Sequence, residues 1–142
     1  MKIRTFAEAS YQEHSIWNEV EGRPDAGETV AVVYVDRETT IAAFFEIQSE
    51  SGDWVLFADY YFRPNRSLAK RHERLNTFYG NASVIREAYF GCHGEDFGGT
   101  TRHLDLSTQR PKAPDPEFID EPAPLYKRVE DLPFSSALRR AN

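Results

Sequence analysis

The chain has one cysteine, Cys92, and one methionine in 142 residues. A single thiol excludes an internal disulfide framework, and a chain of this length buries a useful core without one. The lone cysteine fits a reducing compartment. Long hydrophobic runs are missing too. The longest purely apolar stretch runs from Val30 to Val35, far short of the roughly 20 residues of a membrane-spanning helix. The opening Met1-Lys2-Ile3-Arg4-Thr5-Phe6-Ala7-Glu8 starts basic but lacks the apolar region of a secretory signal. These absences point to a cytoplasmic protein with no membrane association. Internal repeats, coiled-coil heptads, a P-loop and paired Cys-x-x-Cys or His-x-x-x-His spacings are absent as well.

What the chain has is segregated charge. Residues 1–62 carry four basic and twelve acidic side chains, whereas residues 63–75 carry five basic and one acidic, within a formal net charge of −6. An acidic body repels bulk nucleic acid and attracts basic protein surfaces. Prolines are concentrated late, with six of the eight in residues 111–133. That stretch cannot hold a long helix or a central strand. It reads as an extended tail, docked on the body or on a partner.

The strongest local signal is Ser49-Glu50-Ser51-Gly52, a run of turn formers between Thr40–Gln48 and Asp53–Phe62, both rich in aromatic and β-branched residues. It predicts a β-hairpin. Thr29–Asp36, with its valines, predicts a strand before it. Thr5-Phe6-Ala7-Glu8 matches a capping box, and apolar residues at 6, 9, 16, 17 and 20 suggest a helix over about 6–21, closed by Gly22. Leu68, His72, Leu75 and Tyr79 fall on one helical stripe, which predicts a second helix from about 65 to 79. Residues 83–90 and 100–106 suggest a second hairpin around the glycine-rich loop 91–99. The expected fold is therefore α+β: an antiparallel three-stranded meander, five strands if the second hairpin forms, with two flanking helices. One domain spans 1–110 and the proline-rich tail spans 111–142. The order of the first five elements resembles that of a double-stranded-RNA-binding domain, without that module's sequence motifs.

Four groups of residues have the chemistry for a site. Cys92 with His93 or His103 as base and Asp105 as orienter has the types needed for thiolate catalysis. Cys92, His93 and His103, with His72 or Asp105, are the types that ligate zinc, but without paired spacing. The glycine-rich loop could approach a phosphate, but Glu95 and Asp96 oppose an anion. Arg63, Arg66, Lys70, Arg71 and Arg74 form a basic segment, in which Arg66, Lys70 and Arg74 would line one face of the second helix and could meet phosphates. Glu13, Glu19 and Glu21, with Glu8, Asp25 and Glu28, would form an acidic surface on and after the first helix.

No catalytic set is complete in sequence, and no cofactor or metal is expected. The reading is a small non-enzymatic protein-binding module, an inhibitor or an accessory protein of a mobile element, that acts through its acidic surface. The alternatives are nucleic-acid binding through 63–74 and a Cys/His-dependent hydrolase or metal-site enzyme around 92–105.

Overall fold

The computed structural model describes residues 1–11, 14–22, 29–114 and 122–140. It is built on one eight-stranded antiparallel sheet: β1 (Lys2–Tyr11), β2 (His14–Val20), β3 (Thr29–Asp36), β4 (Thr39–Gln48), β5 (Trp54–Phe62), β6 (Leu68–Thr77), β7 (Ala82–Phe90) and β8 (Asp96–Asp105). The spatial order is β2-β1-β3-β4-β5-β6-β7-β8. From β3 onward each strand pairs with the next through a short turn, while β1 sits between β2 and β3. Helix is confined, among the described residues, to a 3-10 turn at Val129–Asp131 and the single turn α1 (Ser135–Leu138). Among the described residues no helix is long and apolar enough to cross a membrane.

The expected α+β architecture is therefore wrong. The meander of β3, β4 and β5 is present, but further strands flank it where helices were expected, and the resemblance to a double-stranded-RNA-binding order goes with the helices. In place of a helix over 6–21, strands β1 and β2 pair antiparallel, with Phe6 facing Glu19 and Glu8 facing Trp17. The apparent capping box is the chance composition of a strand whose residues alternate between the two sheet faces. The predicted helix at 65–79 is β6, an interior strand bonded to β5 and β7 on either side. Its residues are good helix formers, but a central strand gains two ladders of hydrogen bonds and cross-strand contacts, and that context overrides local propensity. Its alternation was hidden because Arg71 and Glu73 occupy inward positions where apolar residues would have revealed a strand.

The turns follow local chemistry. Gly52 has φ 75°, the left-handed conformation that its lack of a Cβ permits, and the loop closes with Ser49 N–H donating to Trp54 O at 3.1 Å. In the β3–β4 turn both central residues, Arg37 and Glu38, have positive φ (50° and 68°). This twist matches that of the flanking strands, at a steric cost for non-glycine residues. Gly99 lies so close to β7 that a Cβ there would collide with the Glu87 carbonyl.

One face of the sheet is covered by residues 122–140. Phe6, Val33, Phe45, Tyr60 and Leu68 from the strands form a core with Ala123, Val129, Leu132 and Phe134 from that segment. Phe134 stacks on Phe6 with ring centroids 4.5 Å apart, and Tyr126 lies 5.1 Å from Tyr60. Each such aromatic burial contributes about 2–3 kcal/mol. Small residues Ala31, Ala43 and Ala58, all fully buried, leave room on the strands for these rings.

Polar contacts hold the segment at three places. Arg4 forms a bidentate pair with Glu19 (2.9 and 2.7 Å) and donates to the carbonyls of Ala137 and Leu138, each at 3.0 Å. Around Ser67, Leu68 N–H donates to Lys127 O and Val129 N–H donates to Arg66 O. The third place is buried. Glu73, 1% exposed, accepts from Arg86 at 3.1 Å and from the Ala123 N–H at 2.8 Å, while Arg71 donates to Ala123 O at 3.1 Å. Tyr60 donates to Pro124 O at 2.7 Å. Burial above all holds the Tyr60 hydroxyl far above the usual phenol range, so it stays a donor.

Removal of Glu73 leaves two guanidinium groups facing each other without their counter-ion. Glu73→Ala is expected to lose about 3–5 kcal/mol in chemical denaturation and to expose Lys127 and Arg128 to trypsin under native conditions. Glu73→Gln, which keeps the acceptor for Ala123 N–H, is expected to lose less. Equal stability of Glu73→Ala and the parent would show that this cluster does not hold the segment.

Candidate functional site

The residues proposed for catalysis do not converge. The turn at 91–95 is one end of the β7–β8 hairpin. His103 pairs with Val84 and Asp105 with Ala82, while Asp96 pairs with Phe90 beside Cys92. Six residues of strand separate those positions, about 20 Å at the usual rise. Cys92 and His93 do touch, with Sγ 3.3 Å from Nδ1. Glu95 approaches that same Nδ1 at 3.5 Å. A nucleophile–base–carboxylate relay needs the thiol on one ring nitrogen and the carboxylate on the other, so here the two compete. The His93 side chain is also 85% exposed.

Asp105 organises a turn instead. Its carboxylate accepts from the backbone N–H of Ser107 and Thr108, and from Asn81. The Thr108 bond does most to hold it below the usual carboxylate range, with slight desolvation opposing. His72 lies mid-strand on β6, facing Asp59 and Glu87 on the neighbouring strands. Among the described residues no three of His, Cys, Asp and Glu gather closely enough to hold a metal ion.

The basic segment is split by strand alternation. Arg71 points to the covered face. Arg63 donates to the carbonyls of Leu68 and Phe90 and so ties β6 to the end of β7. Arg66 pairs with Glu130 at 2.8 Å. Only Lys70 and Arg74 share the opposite face, so the expected helical row of Arg66, Lys70 and Arg74 does not exist. Glu8 and Glu19 lie on strands, with Glu19 bonded to Arg4, and Glu21 is exposed. Glu13, Asp25 and Glu28 fall outside the described residues.

What the strands do assemble is a mixed aromatic and charged surface on the face opposite the core. Side chains on neighbouring strands stand in rows across it. One row is Tyr34, Ala42, Tyr61, Lys70 and Tyr89, and the next is Val32, Phe44, Asp59, His72 and Glu87. The rings of Tyr34, Phe44 and Tyr61 meet edge to face at 5.3 and 5.7 Å. Lys70 Nζ stands 5.5 Å over the Tyr89 ring and 3.8 Å from Glu87, which accepts from the Tyr89 hydroxyl at 3.0 Å. Phe57, Tyr61 and Tyr89 remain 37–39% exposed, and Ile3 and Ile16 on the same face more so. The turn after β8 reaches over one margin, where Gln109 meets Ser83 and Arg74. No described segment lies over the aromatic centre.

The electrostatics of this face are those of half-buried groups. Burial pushes the Asp59 carboxyl up, with His72 at 3.9 Å acting against it. Burial and then the Asp59 charge push the Tyr61 hydroxyl up, with Lys70 opposing. The inner side of β5 was legible in sequence as Trp54, Leu56, Ala58, Tyr60 and Phe62. The alternate set, Phe57, Asp59 and Tyr61, was the available sign of this surface. The contributions of β6 and β7 were not legible, because β6 reads as a helix.

No protein-family model, curated protein or solved structure matches the chain.

A carboxyl whose folded pKa is raised binds its proton more tightly when folded. Its favourable contribution is present below the unfolded pKa of about 3.9 and is lost as pH rises through the raised folded value. Asp59→Asn is therefore expected to be more stable than the parent at neutral pH, with the difference vanishing at about pH 3, as read by thermal unfolding across that range. A variant less stable at neutral pH would mean that the His72 contact outweighs burial.

Proposed function

We propose that this protein is a non-enzymatic protein-binding module that docks its partner on the uncovered face of the sheet. The observation that carries the reading is the row of Ile3, Tyr34, Tyr61 and Tyr89 across neighbouring strands, with Ile3, Tyr61 and Tyr89 exposed and Phe57 exposed on the same face. Contiguous exposed apolar groups rimmed by polar ones mark interaction sites. Tyr and Phe interleaved with Arg are the residues enriched at protein interfaces. Pre-packed rings such as Tyr34, Phe44 and Tyr61 lose little freedom on binding.

The partner's chemistry follows from the charges. Glu46, Asp59 and Glu87 stand among Lys70, Arg74 and Arg102 on this face, so its fixed charges balance. A bare polyanion would meet those carboxylates and a chain of net charge −6. A protein surface with an apolar centre and charges of both signs suits it better. Such a module acts by occupying its partner's surface, as an inhibitor or accessory factor does.

A photo-crosslinking residue at position 61 tests this in cells. The expected result is one principal protein adduct, absent when the same residue is placed at position 50 on the β4–β5 turn. The purified partner is then expected to bind directly, and to bind at least about tenfold more weakly to a Phe57→Ala/Tyr61→Ala variant, but unchanged to Cys92→Ala. The reading fails if the adduct is RNA or DNA, if positions 61 and 50 give the same adducts, or if the double variant binds as tightly as the parent.

A further inference from the structure

At one end of the sheet, away from the aromatic face, the start of β1 and the β3–β4 and β5–β6 turns enclose a hollow with α1 and the residues after it. Its volume is about 710 Å³. Six cationic side chains line it, Lys2, Arg4, Arg37, Arg66, Arg139 and Arg140, against two carboxylates, Glu38 and Glu130. Two of the six are already used. Arg4 is saturated by Glu19 and the carbonyls of α1, and Arg66 is paired with Glu130. Lys2, Arg37, Arg139 and Arg140 have no ion pair or side-chain hydrogen bond among the described residues. Val35, Val129 and Leu138 add apolar groups to the lining, beside Thr40 and Ser135.

Four uncommitted cations around one hollow are unexpected in a chain with a net charge of −6. Like charges repel, and folding brings them together from three separate parts of the sequence. The backbone presents two of the lining arginines from strained turns, since Arg37 and Arg66 both hold positive φ (50° and 73°), a conformation with a cost for residues other than glycine.

We infer that this hollow binds a small organic phosphate with at least two negative charges. Guanidinium forks match phosphate oxygens in a bidentate way that a lone ammonium does not. Val35 and Leu138 would meet the organic part of the ligand. The volume lies in the range of small-molecule sites, and the acidic remainder of the chain disfavours an extended polyanion such as a nucleic acid. This site is separate from the aromatic face and does not depend on it.

Titration of the whole protein at low ionic strength tests the assignment, with inorganic pyrophosphate and ADP as probes. The arginine side-chain resonances of Arg37 and Arg139 are expected to shift saturably, with ADP bound more tightly than pyrophosphate and both weakened by added salt. Arg37→Glu/Arg139→Glu should lose affinity by at least about tenfold, and the milder Arg37→Gln/Arg139→Gln, which keeps the neutral shape of the rim, should lose part of it. Arg102→Glu, on β8, should bind as the parent does. Three outcomes would overturn the inference: no saturable shift at millimolar probe, equal affinity in the glutamine double variant, or binding to a single-stranded oligonucleotide without binding to either probe.

Discussion

A carboxylate under a peptide segment organises this protein. Glu73 stands on an interior strand, facing inward, where an apolar residue would ordinarily be. It draws Arg86 from β7 and Arg71 from its own strand, and its second oxygen receives the Ala123 N–H. Arg71 completes the exchange by donating to the Ala123 carbonyl. Both backbone polar groups of one residue are thus satisfied by side chains of the sheet. A charge buried in a low-dielectric interior is tolerated only when paired and hydrogen-bonded, so the cluster and the segment require each other. The Nε of Arg71 stays 3.8 Å from Glu73, without a hydrogen bond among the described residues. The cluster therefore specifies where the segment lies more than it adds to net stability.

With the segment seated, the two faces of one sheet take different roles. The covered face carries Phe6, Phe45 and Tyr60 against Phe134 and Tyr126. The opposite face carries Tyr34, Phe44 and Tyr61 in a band interleaved with charge. Each strand contributes to both through simple alternation: on β5, Ala58 and Tyr60 go inward while Phe57, Asp59 and Tyr61 go outward. An aromatic set on each side of the same strands gives a rigid support for the exposed set, because backbone movement would disturb the packed core behind it.

The same segment also shapes the cationic hollow. Arg4 reaches from β1 to the last carbonyls of α1 and places Arg139 and Arg140 beside the β3–β4 turn. Residues from the beginning, middle and end of the chain share that end of the sheet only because residues 122–140 return across it. A composition-based reading saw a basic cluster at 63–74, where the cations are near in sequence. The structure disperses those to four different environments and gathers another set that sequence spacing does not connect.

The sequence by itself determined the local elements whose own chemistry suffices. Alternating aromatic and β-branched residues around Gly52 make the β4–β5 hairpin, the valines of 29–36 make β3, and the prolines keep the described residues 111–114 and 122–133 from forming long regular structure. Tertiary structure decided the rest. Residues 65–79 have the propensity and the periodic stripe of a helix, and they become β6 because strands on both sides satisfy the backbone while Glu73, Arg71 and Arg86 satisfy one another. Thr5 to Glu8 read as a helix cap, yet they lie in β1, which pairs with β2 on one side and β3 on the other. Cys92 and His103 are close in number and far apart in space because a hairpin moves its ends away from its turn. Local propensity is worth tenths of a kcal/mol per residue, whereas the contacts that oppose it here are long-range and buried, and only the folded chain brings those partners together.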